Sequence, residues 1–215
     1  MAQTRKPQQS RSKQTVAAII EAGFIAVSQE GVEGLTTRKV ADIAGVSVGT
    51  LYEYFANKDE ILDAMNGQFA RDVVSMIRPM IPELVKMPPR EVILKMLFEF
   101  RELVSRNKQR YLHYAMGVAG MHSDAQAEPV RRTLSELAMQ YLAHNPQYIR
   151  VPKIPVKAYI MIQGGIATMI HQLSQENPPI SFDDLADGLA DMVQYMMEGG
   201  LREAELAEKE TAENT

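Results

Sequence analysis

The sequence predicts an all-α protein with about nine helices. Apolar residues recur at intervals of three and four along most of the 215 residues, and no sustained two-residue alternation bounded by turn residues indicates a strand. Apolar residues make up 46 % of the chain and charged residues 23 %, values typical of a globular protein. The 14 methionines indicate an adaptable interior, and the lack of cysteine excludes disulfides, thiolate metal ligands and a cysteine nucleophile.

The first predicted helix covers residues 12–29. Its apolar side chains form one stripe, and Gly31 supplies a helix stop. The stripe consists of Val16, Ile19, Ile20, Phe24 and Val27.

Two shorter helices follow. Thr36 is a good N-cap for a helix over residues 37–44, and Gly45 permits a sharp turn after it. Ser47 then caps a second helix over about residues 48–54. Two short helices across a glycine turn are typical of a helix-turn-helix.

Longer helices fill the rest of the chain. Asn57 caps a helix that opens at Lys58, and four prolines between residues 79 and 89 interrupt the helical pattern after it. Apolar spacing then predicts helices over 90–106, about 108–120, 124–144, 156–175 and 182–200, with a proline-rich loop over 145–155. Residues 202–215 contain five glutamates and two basic residues, and we expect this acidic tail to be disordered. The predicted domains are residues 1–57 and 58–201, followed by that tail.

The helices over 156–175 and 182–200 differ from the others. The first is apolar almost all round, which predicts burial on more than one side and favours a homodimer bundle. Its Gly164-Gly165 pair is unfavourable by about 1 kcal/mol per glycine. Either close approach of a partner helix or space beside a ligand would compensate, and we favour the first. The predicted dimer interface consists of Ile166, Ile170, Leu185, Leu189, Met192 and Met196.

The charge is distributed unevenly. The chain has a net charge of −4, yet its first 58 residues contain seven basic and five acidic residues. The N-terminal end is therefore the positive one, which suits a polyanionic partner.

The segment Leu35 to Leu62 reads LTTRKVADIAGVSVGTLYEYFANKDEIL. Its paired threonines, its glycine turn and its Gly-Thr-Leu-Tyr and Tyr-Phe elements, followed by Lys58, resemble the DNA-binding signature of the TetR family of transcriptional regulators. The resemblance implies an N-terminal three-helix DNA-binding domain and a C-terminal ligand-binding and dimerisation domain. We expect a repressor that a small-molecule effector releases from a palindromic operator, and the bulky candidate lining residues named below favour an apolar or aromatic effector.

The second short helix is the candidate recognition helix. Ser47, Val48, Gly49 and Thr50 are small enough for close approach to a major groove, while Leu51 and Phe55 anchor the rear face. Thr50 suits a base edge or a phosphate, Val48 suits a thymine methyl group, and Tyr52 is either a DNA contact or a plain surface residue.

Contacts to the DNA backbone are expected from positions on either side of the candidate recognition helix. The resemblance implies that Thr37, Tyr54 and Lys58 bind phosphates, with a solvated charge at Lys58 and core packing at Tyr54 as the alternatives. Arg38 and Lys39, at the start of the first short helix, lie where they add to these contacts. The basic residues Arg5, Lys6, Arg11 and Lys13 form either a flexible arm along the DNA or an ordinary basic N-terminus.

The resemblance also implies an effector pocket between about residues 61 and 175. Bulky, adaptable side chains on apolar faces are the candidate lining, and three polar residues among them are candidates to orient a ligand, although each is also compatible with ordinary core packing. The lining candidates are Phe100, Tyr111, Tyr114, Met116, Met139, Met161 and Met169, and the polar candidates are Arg101, His113 and Gln163.

Other function classes receive little support. No two of the four histidines are three or four residues apart, so we predict no metal site and no cofactor. No hydrolase elbow, phosphate loop or metalloprotease motif indicates an enzyme, and no apolar run approaches a membrane span, so we expect a cytoplasmic protein. Two alternatives stay open: a C-terminal part that binds a protein instead of a small molecule, and activation in place of repression.

Overall fold

The computed structural model describes residues 6–105, 111, 124–173, 175 and 177–213. Every regular element in these residues is helical, which confirms the predicted all-α class. The α-helices are α1 (Lys6–Glu30), α2 (Thr37–Ala44), α3 (Val48–Tyr52), α4 (Lys58–Ile77), α5 (Ile81–Leu84), α6 (Pro89–Ser105), α7 (Asp124–His144), α8 (Ile154–Leu173) and α9 (Phe182–Glu213), and 3₁₀ helices cover Arg78–Met80 and Pro146–Arg150. The helix expected over 108–120 lies outside the described residues. No described helix combines the length and apolarity that a membrane crossing needs.

The chain divides into two compact units. The first comprises Met1–Arg71 with Val104–Gln126, and the second comprises Asp72–Leu103 with Ala127–Thr215. The first unit thus continues past residue 57, where the DNA-binding domain was predicted to end, because the first half of α4 belongs to its core. The functional boundary at residue 57 stays a prediction.

The core of the first unit forms where α1 approaches α4. A Cβ atom at Gly23 would lie 2.6 Å from the Met65 sulfur, so a larger residue there would require the Met65 side chain to move. Phe24 is fully buried, and the ring of Tyr111 meets it edge-on at 5.1 Å between centroids. Phe69 lies 5.0 Å from the same tyrosine ring.

Helix α1 begins six residues before the predicted start. Pro7 lies in its first turn, where the missing N–H has no intrahelical partner to lose, and Gln, Arg and Lys residues with good helix propensity follow. Of the two alternatives for the basic N-terminus, the flexible arm is wrong at Arg11 and Lys13, which lie on the helix with exposed side chains, while Arg5 lies outside the described residues.

The prolines after α4 divide this part of the chain into short helices, and the chain stays helical between them. Pro79 lies in the first turn of the 3₁₀ helix and Pro82 in the first turn of α5. Because a helix tolerates proline in its first turn, the chain restarts a short helix at each one.

Helix α7 closes the second unit against the turn before α6. The Tyr141 hydroxyl donates a hydrogen bond of 3.0 Å to the Met87 carbonyl, and the Asn145 amide donates one of 2.8 Å to the Val85 carbonyl. Burial raises the pKa of Tyr141 above its ordinary value, so the hydroxyl keeps its proton.

Helix α9 is tied to α6 by two arginines. Arg90 donates to Asp191 at 2.8 Å and to Asp187 at 2.7 Å, and these hydrogen bonds raise the pKa of its guanidinium. Arg101 donates to Asp183 at 2.6 Å.

The acidic tail continues α9 as far as Glu213, whereas the sequence predicted disorder there. Arg150 donates to both carboxylate oxygens of Glu208, at 3.2 and 2.6 Å. Gly200 is buried, and a Cβ atom there would overlap the Val151 side chain. The tail therefore has partners that lie about 50 residues earlier in the sequence. Its own composition does not reveal them.

Candidate nucleic-acid interface

Local capping fixes the start and end of α2. The Thr36 side chain accepts a hydrogen bond from the Lys39 amide at 3.2 Å, as the sequence predicted. Gly45 then takes a left-handed conformation with φ +69°, and the Val46 amide donates to the Ala41 carbonyl at 3.1 Å. This glycine turn sets the position at which α3 begins.

Helix α3 is capped by Ser47. The Ser47 hydroxyl accepts from the Thr50 amide at 2.9 Å and lies 2.9 Å from the Thr50 hydroxyl. The rear of the helix is anchored, since Leu51 is 0 % exposed and Phe55 is 8 % exposed. The five-residue helix is thus held by one cap and two buried side chains.

The outer side of α3 is open to solvent. Val48 is 36 % exposed, Gly49 is exposed, and Tyr52 is 52 % exposed. The Tyr52 hydroxyl lies 3.2 Å from the Thr37 hydroxyl at the start of α2, which links the two predicted DNA-contacting helices. The contact directs the tyrosine ring along the surface towards α2.

The start of α4 adds a capped helix N-terminus. The Asn57 side chain accepts from the Glu60 amide at 3.0 Å, and the Glu60 carboxylate accepts from the Ala56 amide at 2.8 Å. Lys58 is exposed beside this N-terminus, where the helix dipole also favours an anion.

The structure brings all the predicted DNA-contacting residues into the first unit. Each is exposed or half-buried, and none is part of the core. They are Thr37, Arg38, Ser47, Val48, Gly49, Thr50, Tyr52, Tyr54 and Lys58. Their roles towards DNA stay predictions. Lys39, by contrast, forms an ion pair with Glu30.

Sequence reasoning missed one exposed residue of this surface. Glu53 follows α3 directly and keeps a helical backbone, with φ −67° and ψ −22°. Its position one helical turn after Gly49 was available in the sequence, but the family signature assigns it no contact.

The segment that contains the predicted helix-turn-helix matches a family model. The model of bacterial regulatory proteins of the TetR family covers residues 19–65. The chain carries a TetR-family DNA-binding domain. The predicted resemblance is confirmed. The matched residues contain all of α2 and α3, residues 19–30 of α1 and residues 58–65 of α4.

Two curated relatives match this TetR-family domain. The tetracycline repressor protein class A from transposon 1721 of Escherichia coli is 45 % identical over 47 residues, 22 % of this chain and 22 % of that protein. An HTH-type transcriptional regulator of Haemophilus influenzae is 46 % identical over 50 residues, 23 % of this chain and 25 % of that protein. The similarity thus spans a quarter or less of the length of these relatives.

A solved structure shares the whole fold. The fatty acid degradation regulator FadR from Bacillus halodurans superposes with a TM-score of 0.62 at 16 % identity, over 89 % of this chain and 97 % of that one. The likeness shows that this chain and that protein share a fold.

Exposed apolar residues form stripes on α8 and α9. On α8, Val156, Tyr159 and Ile160 are 56–65 % exposed, and on α9, Met192 and Tyr195 are 58 % and 68 % exposed. The exposed Gly164 continues the first stripe, and the exposed Gly188 and Gly199 flank the second.

The predicted dimer residues fall unevenly on these stripes. Met192 is exposed, whereas the other five are half-buried within the chain. Those five are Ile166, Ile170, Leu185, Leu189 and Met196. Sequence reasoning missed Val156, Tyr159, Ile160 and Tyr195, because apolar spacing alone does not separate a face buried within the chain from an exposed one.

The predicted effector residues lie in both units or outside the described residues, and their role stays a prediction. Phe100, Met161 and Gln163 are half-buried and Met169 is buried, all in the second unit. Gln163 accepts a hydrogen bond from Arg131 at 2.9 Å. The candidates His113, Tyr114 and Met116 lie outside the described residues.

Three other effector candidates differ in their surroundings. Met139 is 64 % exposed. Tyr111 belongs to the aromatic core of the first unit, and Arg101 is held by Asp183 with its guanidinium 4.7 Å from the centre of the Phe98 ring. Whether such a residue is exposed, packed in the core or paired with a charge depends on the folded chain. The spacing of residues along a helix does not predict it.

Proposed function

We propose that this protein is a sequence-specific transcriptional regulator that binds DNA as a homodimer. The observation that carries the proposal is the TetR-family domain, in which a capped, anchored α3 presents Val48, Gly49 and Thr50 outward. A short helix with small residues at its leading end suits entry into a major groove. Thr37 and Lys58 lie beside it at helix starts, where phosphates bind favourably.

Dimerisation is supported by the stripes on α8 and α9. A cluster of apolar side chains left exposed on two helices is typical of an interface with another chain. Apart from the neighbouring residues and backbone of its own helix, a Cβ atom at Gly164, Gly188 or Gly199 would meet no described atom within 4 Å, so these glycines leave room for the close approach of a partner helix. The occupant that we propose is a second copy of the chain, because closed two-fold dimers are the commonest assemblies.

A two-fold dimer carries two recognition helices. We therefore propose a palindromic operator whose half-sites are about one helical turn apart, or a multiple of it. The regulator is a repressor that a small apolar or aromatic molecule, bound in the second unit, releases from DNA. Helix α4 contributes residues to both units and is the element through which such binding changes the spacing of the recognition helices. The effector shifts the balance between the DNA-binding state and the released state only as far as its affinities for these two states differ.

The test is a binding selection from genomic fragments with the purified protein, read by sequencing at two salt concentrations. We expect an enriched palindrome whose binding weakens steeply with salt, since each neutralised phosphate adds about −0.9 to the logarithmic salt slope. Thr50→Ala should relax preference at one position in each half-site. Lys58→Ala should weaken all sequences alike and reduce the salt slope by about 1 per half-site.

Three outcomes contradict the proposal or its assignments. The absence of any enriched motif would reject a sequence-specific regulator. The reverse pattern, with Thr50→Ala affecting all sequences and Lys58→Ala changing the motif, would reject the assigned roles. If no member of a panel of apolar and aromatic compounds releases a fluorescent operator, the effector class is wrong.

A further inference from the structure

The polar side chains of the recognition helix differ in their hydrogen bonds. The Ser47 and Thr50 hydroxyls bond to each other, and the Tyr52 hydroxyl is within hydrogen-bond distance of Thr37. Glu53 is exposed, and among the described residues no hydrogen bond or ion pair engages its carboxylate. Three of the four polar head groups at this surface are therefore engaged within the chain, and the fourth is an available acceptor.

Helical geometry places Glu53 on the outer face. Successive residues of an α-helix are rotated by about 100°, so residues four apart lie on nearly the same side and residues two apart on opposite sides. Glu53 is four residues after Gly49 and two after the buried Leu51. The Glu53 amide donates to the Gly49 carbonyl at 3.2 Å, which shows that the helical turn between them is complete. The Gly49–Glu53 side thus faces away from the core.

The chemistry of a carboxylate restricts what it can recognise. In the major groove, guanine presents acceptors, thymine presents an acceptor and a methyl group, and adenine presents an amino donor beside an acceptor. Cytosine presents an amino donor at N4, which matches an acceptor-only side chain. Phosphate oxygens would repel the same carboxylate.

We propose that Glu53 determines specificity by accepting a hydrogen bond from the N4 amino group of a cytosine in each operator half-site. Gly49, which lacks a side chain, lets this face of α3 approach the bases closely enough. The proposal rests on the proposed DNA-binding function and adds a base preference to it.

The test compares wild-type protein with Glu53→Gln and Glu53→Ala in the same selection from random duplex DNA. Wild type should enrich a C·G pair at one position in each half-site by about tenfold over the other pairs. Glu53→Ala should lose the preference at that position and keep the rest of the motif. Glu53→Gln should move the preference to adenine, because an amide pairs with adenine N6 and N7.

Glu33→Gln is the matched control, since it removes one exposed carboxylate from the same unit without touching α3. It should leave the motif unchanged. If both Glu53 variants return the wild-type motif with tighter binding to all fragments, the carboxylate only repels phosphates and the proposal is overturned. If wild type enriches no motif, the proposed function itself fails, and base reading by Glu53 fails with it.

Discussion

The two units differ in how completely they bury their apolar residues. Among the described residues, eight of the ten largest fully buried side chains lie between Ile19 and Met65 in the first unit, and the other two, Leu84 and Val151, lie in the second. Of the eleven large apolar side chains that are exposed in the described part of the chain, nine lie in the second unit. The first unit thus closes its own core, while the second leaves apolar faces that suit a second copy of the chain.

The units also differ in the range of their polar contacts. In the first unit, caps join residues three or four apart, and the Thr37–Tyr52 contact joins residues 15 apart. In the second unit, Arg90 reaches Asp191, which is 101 residues away. A local hydrogen bond can be predicted from a short stretch of sequence, whereas a long-range ion pair depends on the packing of whole helices.

The largest effect should come from placing a charge on the exposed stripe of α8. Ile160→Glu buries two carboxylates in a two-fold interface, and an unpaired buried charge costs several kcal/mol, so the dimer dissociation constant should rise by about 1,000-fold. Sedimentation equilibrium measures this change. Met139→Glu, at an equally exposed apolar residue of α7, should leave the dimer intact. If Ile160→Glu dimerises as the wild type does, the exposed stripe of α8 is not a dimer interface, and the proposed difference between the two units is wrong.

The next effect should come from the core of the first unit. Leu51→Ala removes the buried anchor of α3 and should lower the free energy of unfolding of this unit by about 2–5 kcal/mol, with loss of operator binding. Urea unfolding measures the change. Val48→Ala, at the exposed side of the same helix, should shift stability by less than about 0.5 kcal/mol. Equal effects of the two substitutions would mean that the rear face of α3 is not anchored.

The smallest effect should come from the long-range hydrogen bond of Tyr141. Tyr141→Phe removes the bond to the Met87 carbonyl and should cost about 1 kcal/mol at neutral pH. Because burial raises the folded pKa of this hydroxyl, its contribution is full below the unfolded value of about 10 and is lost as pH rises above it. Unfolding in urea at neutral and alkaline pH should therefore show the variant approaching wild type at the alkaline end. A constant difference across that range would contradict the assignment.

Much of the first unit follows from its sequence alone. Thr36 and Ser47 cap α2 and α3 at the predicted residues, and α4 starts at Lys58 after the Asn57 cap. Such signals act over three or four residues, so they need no tertiary partner. The family signature depends on the same short-range pattern, which is why it was recognisable from Leu35 to Leu62. Glu53 was missed because its significance depends on which neighbouring side chains are already engaged.

The second unit shows what only the tertiary structure decides. Apolar spacing predicted α8 and the start of α9, but it did not distinguish the half-buried Ile166 from the exposed Ile160. Nor did composition predict that the tail would be helical, since its partner Arg150 lies 58 residues before Glu208. Periodicity and capping determine where a helix forms. Which of its faces is buried, and which charges find partners, is determined by segments that are distant in the sequence and adjacent only after folding.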